Sequence, residues 1–386
     1  MSEELQKAFE TQGLAGTENT APSYKHLVYE SEAELKALEA LLTDLRKTKL
    51  GAELIADAEK YGTQIGFVSG MRAYGSFDEV TKRVKLNPNN GHDCLVGTLA
   101  HELRHSQQFM NGVVLDAYLD TPKSYVQNQG IIEADASTAA CEVVYDLAVY
   151  ENKVGPLEKL REKDPHIVNP FQNAMVRGDG VSGGAHKAAF FGWFTNYITR
   201  DCYDINYIKM YQQRRRNASR AEDDIKLERE VPRTQTAEQA CRFDGKPYLS
   251  GKEVEEFFKT DDACSISFER FNNVYSELYF KYNLDYKRGT EAVMKEDFGL
   301  TVRPHSSYMP RPVVPEPLPL PEVSFAKRQA EAQRQIGKFH QKSRVSLNKL
   351  LSEETNKIPA VPVKKNLSPH DGTKWKVNVK DFKQRD

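Results

Sequence analysis

The sequence predicts a predominantly helical α+β protein, on three observations. Its 386 residues are 39% hydrophobic with a mean hydropathy of −0.64, which allows a modest core and leaves long polar stretches. Apolar residues recur at helical spacing around 35–45, 95–103 and 131–147, and an aromatic-rich helix follows over 186–211. No apolar run is long enough to cross a bilayer.

Taken in order, residues 1–30 form a polar segment that begins amphipathic and acidic (Met1 to Glu10), unlike a secretory signal, so a cytoplasmic placement is expected. A main domain is expected over 31–211. It opens with Ser31-Glu-Ala-Glu34, a capping-box pattern that starts a helix carrying Leu35, Leu38, Leu41, Leu42 and Leu45. The glycine run 178–184 lacks the Gly-Lys-Ser/Thr ending of a phosphate loop and reads as a hinge or helix start. The helix of 186–211 carries Phe190, Phe191, Trp193, Phe194, Tyr197 and Tyr203 and is expected to cover the site helices. A charged connection over 212–235 leads to a small helical unit over 236–302, whose most periodic part is Phe268, Phe271, Val274, Tyr275, Leu278 and Tyr279. Proline density then predicts an extended linker over 303–322. The last segment, 323–386, is basic. From Ser324 onward, 15 Lys and Arg against 6 Asp and Glu give it +9 and leave −10 on residues 1–323. Such a tail offers a surface to nucleic acid or anionic membranes, but it lacks interleaved aromatics, and solvated disorder is the expectation. Five widely spaced cysteines without a Cys-x-x-Cys pair fit a reducing compartment and exclude both a disulfide framework and a cysteine zinc finger.

The chemistry concentrates in His101-Glu102-Leu103-Arg104-His105. Residues at i and i+4 share a helical face, so both imidazoles can reach one ion at about 2.0–2.1 Å. Glu102, roughly 100° further round the helix, is poorly placed to ligate and well placed to act as general base. With 9 His in the chain, about 0.02 such matches are expected by chance. The histidines also lie off the apolar stripe of Leu95, Val96, Leu99 and Leu103, on a face shared with Thr98 and Gln108, so the helix can bury one side and present the other.

A catalytic zinc normally takes three protein ligands. Glu133, 28 residues after His105, shares its face with Ala136, Ser137 and Ala140, which lets this helix approach the histidines closely. Asp135 is the competing ligand, about 200° away on the same helix, or else a supporting residue outside the ligand set. His186 and Tyr197 are candidate transition-state donors.

The stretch from Gly51 to Leu147 resembles the gluzincin metallopeptidases, in which HExxH is completed by a glutamate on a following helix. More narrowly, it is similar to a bacterial metallopeptidase domain of unassigned function carrying His-Glu-Leu-Arg-His and Glu-Ala-Asp-Ala. The resemblance implies a zincin-like fold, with a backing helix over 51–62, a strand over 64–68, and a small antiparallel hairpin of 71–77 with 82–86 beside the active helix. It implies that the strand Lys82, Arg83, Val84, Lys85 and Leu86 precedes that helix; we expect this strand to hold substrate main chain. One departure is plain: Ser137 stands where larger gluzincins carry the aspartate that orients a histidine ring, which leaves that partner unassigned.

The expected function is therefore zinc-dependent hydrolysis of a peptide or protein substrate, with one Zn2+ on His101, His105 and Glu133, and Glu102 as base. Two rival readings are an inactive scaffold of the same fold and a nucleic-acid or anionic-surface factor acting through 324–386. An intact Glu102 argues against the first, and salt-dependent nucleic-acid binding by the tail would argue for the second.

Overall fold

The computed structural model describes residues 24–219, 229–260, 263–267, 290–303 and 313–321. The chain divides into two units, 1–337 and 338–386. Met1–Glu10, the Phe268 to Tyr279 stripe and the basic tail lie outside the described residues.

After the short strand β1 (Leu27–Val28), helix α1 (Glu32–Arg46) starts where expected, with Ser31 Oγ accepting from the Glu34 backbone N–H at 3.2 Å. Glu34 reciprocates one residue early, accepting from the Glu30 N–H at 2.8 Å. Thr48 caps α2 (Lys49–Tyr61), and Gly62 ends it in the left-handed conformation, φ 77°. Strands β2 (Gln64–Phe67), β3 (Gly75–Asp78) and β4 (Arg83–Leu86) complete a four-stranded sheet in the order β1-β2-β4-β3. The expected β3–β4 hairpin is antiparallel, with Phe77 opposite Val84. The sheet as a whole is mixed, because β2 runs parallel to both β1 and β4.

That order corrects one expectation. β4 is paired on both sides, so its backbone groups are already used and it cannot accept a substrate strand. Lys82 is not in the strand at all; its φ of 51° places it in the turn before β4. The edge strands of the sheet are the two-residue β1 and, beside the hairpin, β3.

Helix α3 (His92–Met110) packs its apolar stripe of Leu95, Val96, Leu99 and Leu103 into a core shared with Leu38, Leu42, Leu54, Val84 and Leu86. The 29-residue α4 (Pro122–Tyr150) runs through the centre and is buried almost all round, as its sequence of small and branched residues allows. α5 (Gly155–Lys163) and α6 (Pro165–Arg177) follow. The aromatic helix expected over 186–211 is two helices, α7 (Gly184–Thr195) and α8 (Tyr197–Ser219). They part at Asn196, whose ψ of 70° leaves the helix and whose Oδ1 accepts from the Thr199 N–H. α9 (Arg233–Ala240), hairpin β5 (Arg242–Phe243) with β6 (Lys246–Pro247), and α10 (Gly251–Phe257) bring Ala237, Ala240, Cys241, Tyr248 and Leu249 into the α3–α4 core. A second cluster joins Tyr125, Tyr207, Ile208 and Tyr211 to Ile266 of β7 (Ser265–Ser267) and Phe298 of α11 (Thr290–Phe298), with β8 (Thr301–Arg303) parallel to β7. Residues 313–321 form no helix or strand, and α6 holds them through Asn169 to the Pro315 carbonyl and Asn173 to the Glu316 carbonyl, both at 2.9 Å. Among the described residues, no helix is long and apolar enough to cross a membrane.

Candidate metal centre

Side by side on α3, the His101 and His105 rings lie 4.6 Å apart and nearly perpendicular. Their Nε2 atoms are 3.0 Å apart, and Glu133 Oε2 on α4 lies 3.3 Å from the first and 3.6 Å from the second. Tetrahedral coordination at zinc bond lengths separates ligand atoms by about 3.3 Å. The three atoms therefore already stand at the corners a metal requires. Glu133 Oε2 is buried with no hydrogen-bond partner, which is costly for a carboxylate unless a cation completes it. Among the described residues, these three form the one metal-competent group.

The small face of α4 permits this approach. Ser137 Oγ lies 3.5 Å from His101 Nδ1, at the position where the gluzincin pattern would have an aspartate. His105 has a stronger partner in Gln108, whose Oε1 is 2.9 Å from Nδ1. Glu133 Oε1 accepts from the Tyr207 hydroxyl of α8.

Asp135 faces away from the triad. Its Oδ2 accepts from Arg104 Nε and Gln108 Nε2, both at 2.7 Å, and its Oδ1 accepts from Arg104 Nη2 and the Tyr248 hydroxyl, both at 3.0 Å. Four donors occupy this carboxylate, which leaves it no free lone pair for an ion.

Electrostatics reflects the crowding. Burial alone would raise the Glu133 carboxyl, but the neighbouring His105 and His101 hold it well below the usual carboxylate range. Burial pulls His105 down, and Glu133 overrides it, so the ring is pushed up to about 9. Glu102 is shifted upward by burial. It lies beneath the free strand β3: a Cβ on Gly75 would sit 3.2 Å from Glu102 Oε1 and 2.7 Å from Thr98 Cγ2, so only glycine lets the strand come so close.

The triad opens into cavities on both sides. One, about 170 Å³, adjoins His105 and Glu133 and is walled by Phe77, Phe109, Leu115 and Ile132. The other, about 560 Å³, adjoins His101 and Glu102 and is walled by Tyr74, Gly75, Trp193 and Tyr203. β3 borders both.

Neither candidate donor reaches the triad. His186 donates or accepts at 2.8 Å with Glu142, nine residues and about 13 Å along α4 from Glu133, among Phe171, Phe243 and Tyr248. Tyr197 lies at the start of α8 under the Arg303 guanidinium. The aromatic residues that do reach the site are Tyr203 and Tyr207, one turn apart on α8. Their i, i+4 spacing, which sets both on one face of α8, is the signal the sequence offers.

Residues 15–249 match the model of a family described as "Putative metallopeptidase family (DUF6782)". The chain belongs to this family. The match encloses α3 and α4 with the whole triad, and it reaches past hairpin β5–β6 to Tyr248 and Leu249. Membership in a metallopeptidase family implies a metal, and among the described residues the triad is the group that can hold one. No curated protein and no solved structure matches the chain.

Proposed function

We propose that the chain is a zinc-dependent endopeptidase of gluzincin type, in which His101, His105 and Glu133 hold the ion and Glu102 is the general base. The observation that carries this reading is the triangle of two Nε2 atoms and Glu133 Oε2 at 3.0, 3.3 and 3.6 Å, with the Glu102 carboxylate beside it under the free sheet edge. Two imidazoles and one carboxylate suit zinc and leave room for water or substrate. Bound zinc supplies a Lewis acid that polarises the scissile carbonyl and acidifies water at the site.

The protein's own groups do the rest. Substrate main chain pairs with the open edge of β3, which places a carbonyl over Glu102. Glu102 takes the proton of the attacking water and passes it to the leaving nitrogen. Burial shifts its pKa upward, which strengthens it as a proton acceptor. Tyr203 on the cavity wall keeps its hydroxyl proton, because the Glu133 charge and burial push its pKa well up, and it supplies an O–H donor for the developing oxyanion. The reading is tested by comparing zinc content and peptide hydrolysis in the wild type, His101→Ala and Glu102→Gln.

A further inference from the structure

A ligating histidine must lose its proton from one ring nitrogen only, and something has to decide which. At His105 Nδ1 the partner is not a carboxylate. It is Gln108, one turn along the same helix, and an amide can present either end. Its orientation follows from its other neighbours.

Gln108 Nε2 lies 2.7 Å from Asp135 Oδ2 and 2.9 Å from the Ile132 carbonyl. Both can only accept. Turning the amide over would set an oxygen against two oxygens, so the NH2 group must face them and Oε1 must face His105 Nδ1 at 2.9 Å. An oxygen there can only accept, which keeps a proton on Nδ1 and leaves Nε2 as the nitrogen whose lone pair is free for the ion.

Asp135 is itself fixed from outside. Arg104 grips both its oxygens, and Arg104 Nη2 is in turn held by the Ala240 and Arg242 carbonyls at 2.8 and 3.0 Å. Tyr248, just past hairpin β5–β6, donates the fourth hydrogen bond to Asp135. A continuous chain thus links the hairpin to the ring that meets the ion, with donors converging on Asp135 from both sides: Tyr248 and the hairpin-held Arg104 on one, and His105 Nδ1–H through the Gln108 amide on the other.

We propose that Gln108 is the positioning residue of His105, an amide at a ring nitrogen that meets no carboxylate, and that Asp135 and the β5–β6 hairpin set its polarity. The inference rests on the zinc reading above. It also assigns a purpose to residues 240–248, which lie more than 100 residues beyond the ligands in sequence yet hold Arg104 and Asp135 in place.

The experiment is zinc affinity of the full-length protein, measured by competition with a chromophoric chelator, for the wild type, Gln108→Met, Gln108→Glu and Tyr248→Phe, with thermal melting of each metal-free form. Gln108→Met keeps the volume and removes the polarity; zinc should bind about 10–100-fold more weakly. Gln108→Glu in its protonated form donates to Asp135 and accepts from Nδ1–H, so it should recover most of the affinity. Tyr248→Phe should weaken zinc by a smaller factor. In the zinc-loaded wild type, a slowly exchanging imidazole N–H signal assigned to His105 Nδ1 should be present, and in Gln108→Met it should be lost. Wild-type affinity and an unchanged N–H signal in Gln108→Met would overturn the proposal. So would a loss of affinity no larger than the loss of metal-free stability explains, since that marks a role in folding alone. Failure of the wild type to bind zinc at all would instead remove the metal reading.

Discussion

Tyr207 donates its phenolic hydrogen to Glu133 Oε1, so the other oxygen of that carboxylate, Oε2, is the one turned toward His101 and His105. The two residues sit on different helices, α8 and α4, and their hydroxyl–carboxylate bond settles which rotamer Glu133 adopts. The aromatic helix therefore does more than cover the core.

Tyr207→Phe should keep the fold, because the ring continues to pack against Tyr125 and Tyr203, while zinc binds about 10–100-fold more weakly. Glu133→Ala should lose the metal under the same conditions. Isothermal titration of both variants checks the pair, and a Tyr207→Phe protein with wild-type affinity would show that the hydroxyl does not orient the ligand.

Gly75→Val should disturb the site from the sheet side. Its Cβ would stand 2.7 Å from Thr98 Cγ2 and 3.1 Å from Glu102 Cγ, closer than packed atoms tolerate. The strain is expected to cost about 1–3 kcal/mol by denaturant unfolding and to push β3 off Glu102, lowering peptide hydrolysis while zinc content is unchanged. Unaltered hydrolysis would remove β3 from the substrate path.

Asp204 makes a prediction about pH that is independent of the metal. Burial raises its carboxyl to about 7, Arg200 opposes and Asp201 adds to the rise. A carboxyl near 3.9 when unfolded and near 7 when folded is protonated only in the native state between those values. Its contribution to stability is thus greatest at low pH and is lost as pH rises toward 7, by at most about 1.4 kcal/mol per unit. Asp204→Asn should gain on the wild type at pH 8 relative to pH 5 in chemical denaturation. Equal differences at the two pH values would contradict the assignment.

Much of the site was legible because local spacing determines it. The i, i+4 histidines, the adjacent Glu102 and the small face around Glu133 follow from helical geometry, and the structure brings His101, His105 and Glu133 within 3.6 Å. Asp135 could be set apart from Glu133 by angle, but its four donors come from Arg104, Gln108 and Tyr248, and the last lies 113 residues away. No pattern in sequence announces such a partner. The same limit explains the strand. Residues 82–86 read well as a strand, but whether a strand is interior or at an edge depends on where β2 inserts, which is a matter of topology. Tyr197 is read from sequence as lying on one helix running over 186–211, whereas the structure has two. The break at Asn196 resets which residues of α8 face the triad.

The most direct test of the account is Glu102→Gln, assayed for zinc and for cleavage of a denatured-protein substrate in one preparation. The amide keeps the shape under Gly75 but cannot accept a proton. Zinc content equal to the wild type with hydrolysis abolished is the predicted result. Loss of the metal, or cleavage at the wild-type rate, would contradict the role assigned to Glu102.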